Sequence, residues 1–318
     1  MKIIFSTILL LLTYSNGFGQ NSDVDSLKSW LNYVASDELK GRKNGSKEIS
    51  SVQDWVADKF SEYGLIPLEN LNGYNQTFFA RNRIDSLEIR NVIGYSPGIS
   101  KDSFIILSAH IDHIGIKKNN VGDSIYNGAD DNASGVVTLL GIAKKLHEQK
   151  RELNYSIVYI AYGGEELGLV GSRYFCKNKT LPFDKVKLNI NIEMDGRILE
   201  FGKNKFYVTG PSRSNLIDII NKYNIDKKWQ IVDIGEQAEN LYGRSDNHSF
   251  ERFVNDSVIH VPAHTFSTST GKGYIHQVSD EVKYIDFENM ESFTNYLTDF
   301  ISFLSNNRES IIHKQRLF

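Results

Sequence analysis

The chain has 318 residues, a formal net charge of −3 and an isoelectric point near 6.3. This length could form one large α/β domain or two smaller ones, and the balanced charge indicates neither a nucleic-acid-binding protein nor a disordered acidic one. The single cysteine, Cys176, excludes an intramolecular disulfide. It could pair between chains or react, but we favour a thiol buried by the Val170–Phe175 segment.

The first 19 residues have the pattern of a cleavable secretory signal peptide. Lys2 precedes the apolar run Ile3–Leu12, and residues 17–19 form a small-x-small site before Gln20. The run is too short to span a bilayer as a mature anchor, and an uncleaved anchor is the alternative. We therefore predict a signal peptide over 1–19 and a mature chain over 20–318. The mature chain is expected to be secreted or periplasmic, without membrane attachment.

Two helices and two strands are predicted next. Apolar residues at helical spacing indicate helices over Ser26–Glu38 and Ser46–Tyr63, and Gly64 supplies a stop for the second. Tyr74–Phe79 and Leu87–Tyr95 have the composition of strands.

From residue 100 onward, strands alternate with helices. The predicted strands are Phe104–His110, Tyr155–Tyr162, Val186–Met194, Phe206–Gly210 and Ser257–Val261. The predicted helices are Ser134–Glu148, Leu167–Cys176, Asn215–Tyr223 and Phe287–Leu304. This alternation predicts a mixed, mainly parallel sheet with helices on both faces, an α/β/α sandwich. No repeat or linker interrupts the pattern, so a single domain is expected.

Ligand-type side chains occur where these strands end. His110 ends an apolar run, and Asp112 follows two residues later, where it could accept the second ring N–H of His110. A lone histidine here would more often be a hydrogen-bonded core residue. His113 is expected to face away from Asp112 and to be structural or substrate-facing.

Two acidic pairs follow. Asp130 and Asp131 repel each other, which a nearby cation would explain, although capping of a helix N-terminus is the local alternative. Glu165 and Glu166 come directly after a strand and two glycines. One could bind metal while the other moves protons, and a solvated turn is the alternative.

The remaining candidates lie further along the chain. Glu193 and Asp195 lie two apart near a strand end, where unpaired acids are costly. Asp246 and His248 could form another polar cluster. His276, in a glycine-rich loop, is weak evidence on its own. Imidazoles and carboxylates at strand ends favour zinc, with two ions sharing a carboxylate as one arrangement.

In this order the motifs resemble peptidase family M28, the zinc peptidases of the aminopeptidase Y and leucyl aminopeptidase type. The resemblance extends from about Ser26 to Asp286, nearly the whole mature chain. Each motif is weak alone, whereas six in order are highly specific. The matching segments are His110–Asp112, Gly128–Gly135, Glu165–Ser172, Asn191–Arg197, Ser245–Phe250 and Tyr274–Asp280. Leu39–Arg42 and Tyr63–Leu65 are similar to the lead-in of that family.

The resemblance implies a zinc-exopeptidase-like fold with two zinc ions and assigns each site residue a role. Asp131 would bridge the ions, His110 and Glu193 would complete one site, and Glu166 and His276 the other. The residue that would act as general base is Glu165. The resemblance also implies a cis peptide bond between Asp131 and Asn132.

Three assignments depart from the family pattern or are weaker. The residue aligned with Glu193 is usually aspartate, so Asp195 could be the ligand instead, although Glu193 is preferred. Tyr242 matches a tyrosine that polarises the scissile carbonyl in some members. Asn247 interrupts the usual Ser-Asp-His string, which leaves the role of His248 open.

The expected function is a secreted or periplasmic di-zinc aminopeptidase acting on peptides, with no nucleic-acid partner. Two alternatives stay open. One is a glutaminyl cyclase-like enzyme with a single zinc, against which the full ligand set argues. The other is a non-catalytic binding protein on the same scaffold, against which the retained ligands and base argue. Oligomeric state, preferred N-terminal residue, and carboxypeptidase or dipeptidase action are left undecided.

Overall fold

The computed structural model describes residues 23–81, 86–118, 122–224, 227–251, 253–254, 257–258, 261–307 and 311–312. The predicted signal peptide over 1–19 lies outside these ranges and stays a prediction. Within them, no helix has both the length and the apolar character needed to cross a bilayer.

Seven α-helices and twelve strands occur in the described residues. The helices are α1 Asp23–Val34, α2 Lys47–Glu62, α3 Gly135–Glu148, α4 Val170–Lys177, α5 Leu216–Tyr223, α6 Glu236–Leu241 and α7 Phe287–Asn307. The first six strands are β1 Asn75–Arg81, β2 Ser86–Ser96, β3 Ser100–His110, β4 Gly115–Ile116, β5 Ile125–Tyr126 and β6 Tyr155–Tyr162. The other six are β7 Val186–Ile192, β8 Lys205–Val208, β9 Gln230–Ile231, β10 Phe253–Val254, β11 Ser257–Val258 and β12 Ala263–Ser267.

Eight of these strands form one mixed sheet in the order β1-β2-β6-β3-β7-β12-β8-β9. The four central strands β6, β3, β7 and β12 are parallel. The pairs β1–β2, β2–β6 and β12–β8 are antiparallel, and β8–β9 is parallel. The predicted mixed, mainly parallel sheet is confirmed.

Alternate residues of the central strands pack against opposite layers of helices. Ile105 and Leu107 of β3 belong to the same buried core as Val137 of α3. That core also contains side chains from α1, α2, α5 and α7. Ile106 points to the other face and shares a second core with Phe175 of α4. Burial on both faces explains the apolar runs in β3 and β6. The three-layer α/β/α arrangement is therefore confirmed.

The carboxyl ends of the parallel strands meet at one edge of the sheet. His110 at the end of β3 pairs with Tyr162 at the end of β6. Ile192 at the end of β7 pairs with Phe266 of β12. The loops that leave these ends carry the predicted site residues, so the sheet brings together segments that are distant in the sequence.

One predicted sheet strand was wrong. Ser257–Val258 pairs with Phe253–Val254 in a separate two-stranded sheet, and residues 259–260 lie outside the described ranges. The strand that enters the main sheet is Ala263–Ser267, which lacks the apolar character of the other central strands. Its polar His264 is accommodated because the Thr209 carbonyl oxygen lies 2.8 Å from Nδ1 and the Ser214 hydroxyl 2.7 Å from Nε2.

The first helix ends earlier than predicted, at Val34. A helical turn over Asp37–Arg42 follows it, in which Lys40, Gly41 and Arg42 have positive φ. A Cβ at Gly41 would lie 2.3 Å from the Tyr126 carbonyl oxygen, so only glycine fits there. This turn directs Arg42 into the protein interior, where it is fully buried.

Candidate metal centre

His110 lies at the inner end of the site and is fully buried. Its Nε2 is 3.3 Å from Asp131 Oδ1 and 3.9 Å from Glu193 Oε1. Its Nδ1 is 3.1 Å from the backbone carbonyl oxygen of Asp112. That carbonyl orients the ring and leaves Nε2 to face the two carboxylates.

Asp112 is at the site but has a different partner from the predicted one. Its carboxylate is 3.9 Å from His110 Nδ1, which is too long for a hydrogen bond. Instead, it accepts the backbone N–H groups of Glu165 and Glu166 at 3.0 and 3.1 Å. Asn44 donates a third hydrogen bond at 2.7 Å. Asp112 therefore holds the turn that carries both glutamates.

Asp131 presents one carboxylate oxygen to each of two groups of side chains. Oδ1 faces His110, whereas Oδ2 is 3.3 Å from His276 Nε2 and 3.8 Å from His113 Nδ1. The peptide bond from Asp131 to Asn132 is cis, as the family resemblance implies. Because its two oxygens face different groups of side chains, the Asp131 carboxylate could bridge two ions.

Glu166 and His276 meet on the second side of Asp131. The distance from Glu166 Oε1 to His276 Nε2 is 2.9 Å. Burial works against ionisation of Glu166, but the neighbouring His113 and His276 imidazoles lower its pKa to about 2. His276 itself is half-exposed and comes from the loop after β12.

His113 also belongs to this group, which the sequence reasoning missed. It was predicted to face away from Asp112 and to be structural or substrate-facing, whereas its Nδ1 lies 3.1 Å from Glu166 Oε1, among the ligand-type atoms. The prediction assumed extended backbone beyond His110, but β3 ends at that residue. The sequence did contain a signal for this position, because His113 is the third ligand-type side chain within four residues, after His110 and Asp112.

The geometry places Glu193, not Asp195, beside His110. Asp195 is fully buried behind the site, where its carboxylate accepts a hydrogen bond from the Thr138 hydroxyl. Burial, which a hydrogen bond from Thr138 partly offsets, raises the pKa of Asp195 to about 6. Burial also raises the pKa of Glu193 to about 7, with His110 opposing this effect.

Two groups of ligand-type atoms result, each with its atoms within 4.8 Å of one another. One contains His110, Asp131 and Glu193, and the other His113, Asp131, Glu166 and His276. Among the described residues, four of these buried atoms have no hydrogen-bond partner, namely His110 Nε2, His113 Nδ1, Asp131 Oδ2 and Glu166 Oε1. Such atoms are costly to bury unless a cation satisfies them, so the residues fit a metal.

Glu165 lies next to this centre and lines a cavity of about 320 Å³. Burial raises the pKa of its carboxyl group well above the usual range, and the Glu193 and Asp246 carboxylates add to this while His110 opposes it. Asp246 is fully buried, and burial raises its own pKa to about 6. The apolar side chains of Met194, Tyr207, Leu241 and Ile275 line the cavity together with polar ones, among them Gln237, Asn240 and Arg244.

Tyr242 does not line this cavity, contrary to the role that the resemblance suggested. It is 2% exposed, and the Arg213 guanidinium lies 3.8 Å from its ring centroid. His248 packs edge-on against the same ring, with centroids 5.8 Å apart. Tyr207 is the tyrosine that the cavity contains, and its apolar strand gave no sign of that position.

Two further residues support the metal-binding loops. Asp280 accepts the backbone N–H groups of Asp130 and Asp131 at 3.0 and 2.9 Å. Arg42 donates four hydrogen bonds to backbone carbonyls, including those of Ile111 and Gly128 on either side of the site. Sequence reasoning noted both motifs without seeing these functions, because the partners are backbone atoms distant in the chain.

A mixed sheet with imidazoles and carboxylates gathered at the carboxyl edge of its parallel strands defines a zinc-exopeptidase-like α/β protein. The model of "Peptidase family M28" matches residues 91–301, and the chain belongs to that family. It is therefore related to metallopeptidases, as the motifs implied.

Several known proteins are similar to the chain. Leucine aminopeptidase 1 of Arthroderma gypseum is 28% identical over 226 residues, which cover 68% of this chain and 58% of that relative. The chain thus spans less than two thirds of that relative's length. An aminopeptidase from Aneurinibacillus sp. strain AM-1 shares the fold with a TM-score of 0.66 and 13% identity, over 92% of this chain and 96% of that one. A glutaminyl cyclase from Porphyromonas gingivalis does so with a TM-score of 0.65 and 19% identity, over 87% and 97%.

Proposed function

We propose that the chain is an exported di-zinc aminopeptidase that removes N-terminal residues from peptides. The observation that supports this best is the position of Asp131, whose two carboxylate oxygens face two separate groups of ligand atoms. The similarity to leucine aminopeptidases supports the choice of reaction. Export rests on residues 1–19 alone.

The ligands of one ion would be His110, Asp131 and Glu193, and those of the other would include Asp131, Glu166 and His276. Bound zinc supplies Lewis acidity and lowers the pKa of a coordinated water. Asp131, Glu193 and His276 line the cavity, so this chemistry would be available to a substrate bound there.

Glu165 would be the general base. Its carboxylate accepts a proton from the attacking water and then delivers it to the leaving amine, so one residue serves both half-reactions. A carboxyl group with a raised pKa suits this exchange because it accepts a proton more readily than an ordinary carboxylate does. Asp112 accepts the backbone N–H groups of Glu165 and Glu166. These hydrogen bonds would fix the position of the general base Glu165 relative to the metal ligand Glu166.

The cavity would hold the side chain of the N-terminal residue. Met194, Tyr207, Leu241 and Ile275 would contact an apolar side chain there, and the cation Arg244 also lines the cavity. Because Glu165 also lines the cavity, a substrate whose N-terminal side chain occupies it would have its scissile carbonyl close to Glu165.

The test is the Glu165→Gln variant. It should retain the zinc content of the wild type, measured by elemental analysis, and lose turnover by roughly 10²–10⁴-fold, because amide cannot accept the proton. The exposed Glu152→Gln is the matched control and should keep full activity. Near-wild-type hydrolysis by Glu165→Gln would contradict the assignment.

A substrate profile separates the proposal from its alternatives. An aminopeptidase should cleave leucyl peptides with a free amine and fail on the same peptides after N-acetylation. Release of pyroglutamate from N-terminal glutamine peptides, with no peptide cleavage, would identify a cyclase instead. Zinc binding with neither activity would favour a non-catalytic binding protein.

A further inference from the structure

His113 stands in the second group of ligand atoms without any role in the proposed mechanism. It is 1% exposed, and its Nδ1 lies 3.1 Å from Glu166 Oε1 and 3.8 Å from Asp131 Oδ2. Its Nδ1 forms no hydrogen bond to any described residue. A fully buried imidazole nitrogen directed at two carboxylate oxygens requires either a proton or a metal ion between them.

The spacing of the four atoms in this group fits a common ion. The distances from Glu166 Oε1 and Asp131 Oδ2 to the two imidazole nitrogens range from 2.9 to 3.8 Å. Ligands at 2.0–2.1 Å from a tetrahedral zinc are separated by about 3.3 Å. This group offers four protein atoms within 4.8 Å of one another, enough to complete a tetrahedral site, whereas His110, Asp131 and Glu193 supply only three.

The imidazole is also held in place independently of any ion. The backbone N–H of His113 donates to the Arg42 carbonyl oxygen at 3.3 Å. The ring packs so closely on Gly128 that a Cβ there would lie 2.6 Å from its Cγ. The contacts with Arg42 and Gly128 thus hold His113 in a ligand position before any ion binds.

We propose that His113 is a fourth protein ligand of the ion held by Asp131, Glu166 and His276. This inference rests on the proposed function, since it assumes that both groups hold zinc. It makes the two sites unequal: the ion with His113 has a complete set of protein ligands, and the ion with His110 and Glu193 keeps an open position. The closed site should hold its zinc more tightly, and the open site should exchange zinc first.

The first experiment is zinc-edge X-ray absorption on the fully loaded wild-type protein, which needs no variant. Three imidazoles shared between two ions are expected, namely those of His110, His113 and His276. Two imidazoles shared between two ions would overturn the proposal. A sample that binds fewer than two zinc ions would contradict the di-zinc function itself, and His113 would then be judged by whether the bound ion has it as a ligand.

The second experiment measures zinc affinity by competition with a chelator. His113→Ala should weaken one of the two binding steps by at least about ten-fold and leave the other nearly unchanged. His113→Cys, which restores a ligand atom, should recover most of that loss. The exposed His147→Ala is the matched control and should bind as the wild type does.

These variants also separate a ligand from a charged partner of Glu166. If His113 were a protonated imidazole, its removal would leave zinc affinity unchanged or increase it, and cysteine would give no recovery. Either result would overturn the proposal while leaving the di-zinc function intact. If His113→Ala does not fold, the absorption spectrum of the wild type and the cysteine variant still decide.

Discussion

Removal of the Arg42 guanidinium should lower the free energy of unfolding more than the loss of a surface side chain does. This side chain is fully buried and donates all its hydrogen bonds to backbone carbonyls. Burial lowers its pKa to about 10, and the carboxylates of Asp131, Asp280 and Asp112 oppose that fall, so it stays cationic at neutral pH. The variant Arg42→Met keeps most of the side-chain volume and removes every donor.

The size of the effect follows from the carbonyls left behind. Arg42 donates to the carbonyl oxygens of Ile111, Val34, Asn127 and Gly128 at 2.9, 2.8, 2.6 and 3.0 Å. A buried acceptor that loses its donor costs about 1–3 kcal/mol. Four such acceptors at the lower limit give a loss of about 4 kcal/mol. For 318 residues, at about 2.1 cal/mol/K of unfolding entropy per residue, that corresponds to a fall in Tm of roughly 6 °C.

The assay is thermal unfolding followed by circular dichroism, with a chelator present so that metal binding does not contribute. Arg151→Met is the matched control. Arg151 pairs at 2.7 Å with the exposed Asp299, so its loss should cost no more than about 1 kcal/mol. Arg42→Lys should fall between wild type and Arg42→Met, because one ammonium cannot reproduce the guanidinium fork.

The reasoning is refuted if the Tm of Arg42→Met lies within about 2 °C of the wild-type Tm, as that of the control should. It is also refuted if Arg42→Lys equals the wild type. In that case the positive charge near the carboxylates would account for the stability, and the four carbonyl contacts would contribute little.

Two further predictions follow from buried groups near the site. Glu193→Gln should weaken binding of one zinc ion in a chelator titration, whereas Asp195→Asn should leave both binding steps unchanged and alter only stability; the reverse pattern would make Asp195 the ligand. Cys176 is 1% exposed, and burial raises the pKa of its thiol well above the usual range. It should therefore react with a thiol reagent only after denaturation, and rapid labelling of the folded protein would show that this burial is wrong.

The elements that sequence predicted well are those whose surroundings are uniform. The strand Tyr155–Tyr162 was bounded correctly because both of its faces are buried and its residues, apart from Ser156, are apolar or aromatic. Helix α2 was correct within a residue at each end, since Ser46 caps it by accepting the N–H of Ile49 at 3.2 Å. In both cases the residues of the segment and its immediate neighbours are sufficient to predict its type and its ends.

The failures share a different cause, which is dependence on distant partners. β12 contains polar residues that hydrogen bonds to other segments satisfy, so its sequence does not look like a buried strand. His113 reaches Glu166 because the chain turns after His110, and Tyr242 is covered by Arg213 from another loop. The ligand residues themselves could be named from motifs, but their supporting contacts could not.

The backbone N–H groups of Asp130 and Asp131 donate hydrogen bonds to Asp280 and so connect two distant segments of the chain at the candidate metal centre. The loop that presents Asp131 thus takes its shape from a residue that lies 149 positions later in the chain. These contacts cannot form until both segments have been synthesised, and closing so long a loop costs chain entropy. A chain still emerging from synthesis or passing through a membrane would have scattered ligands and no site. Metal acquisition is therefore an event of the compartment in which folding finishes, and the metals available there determine which ion the protein receives.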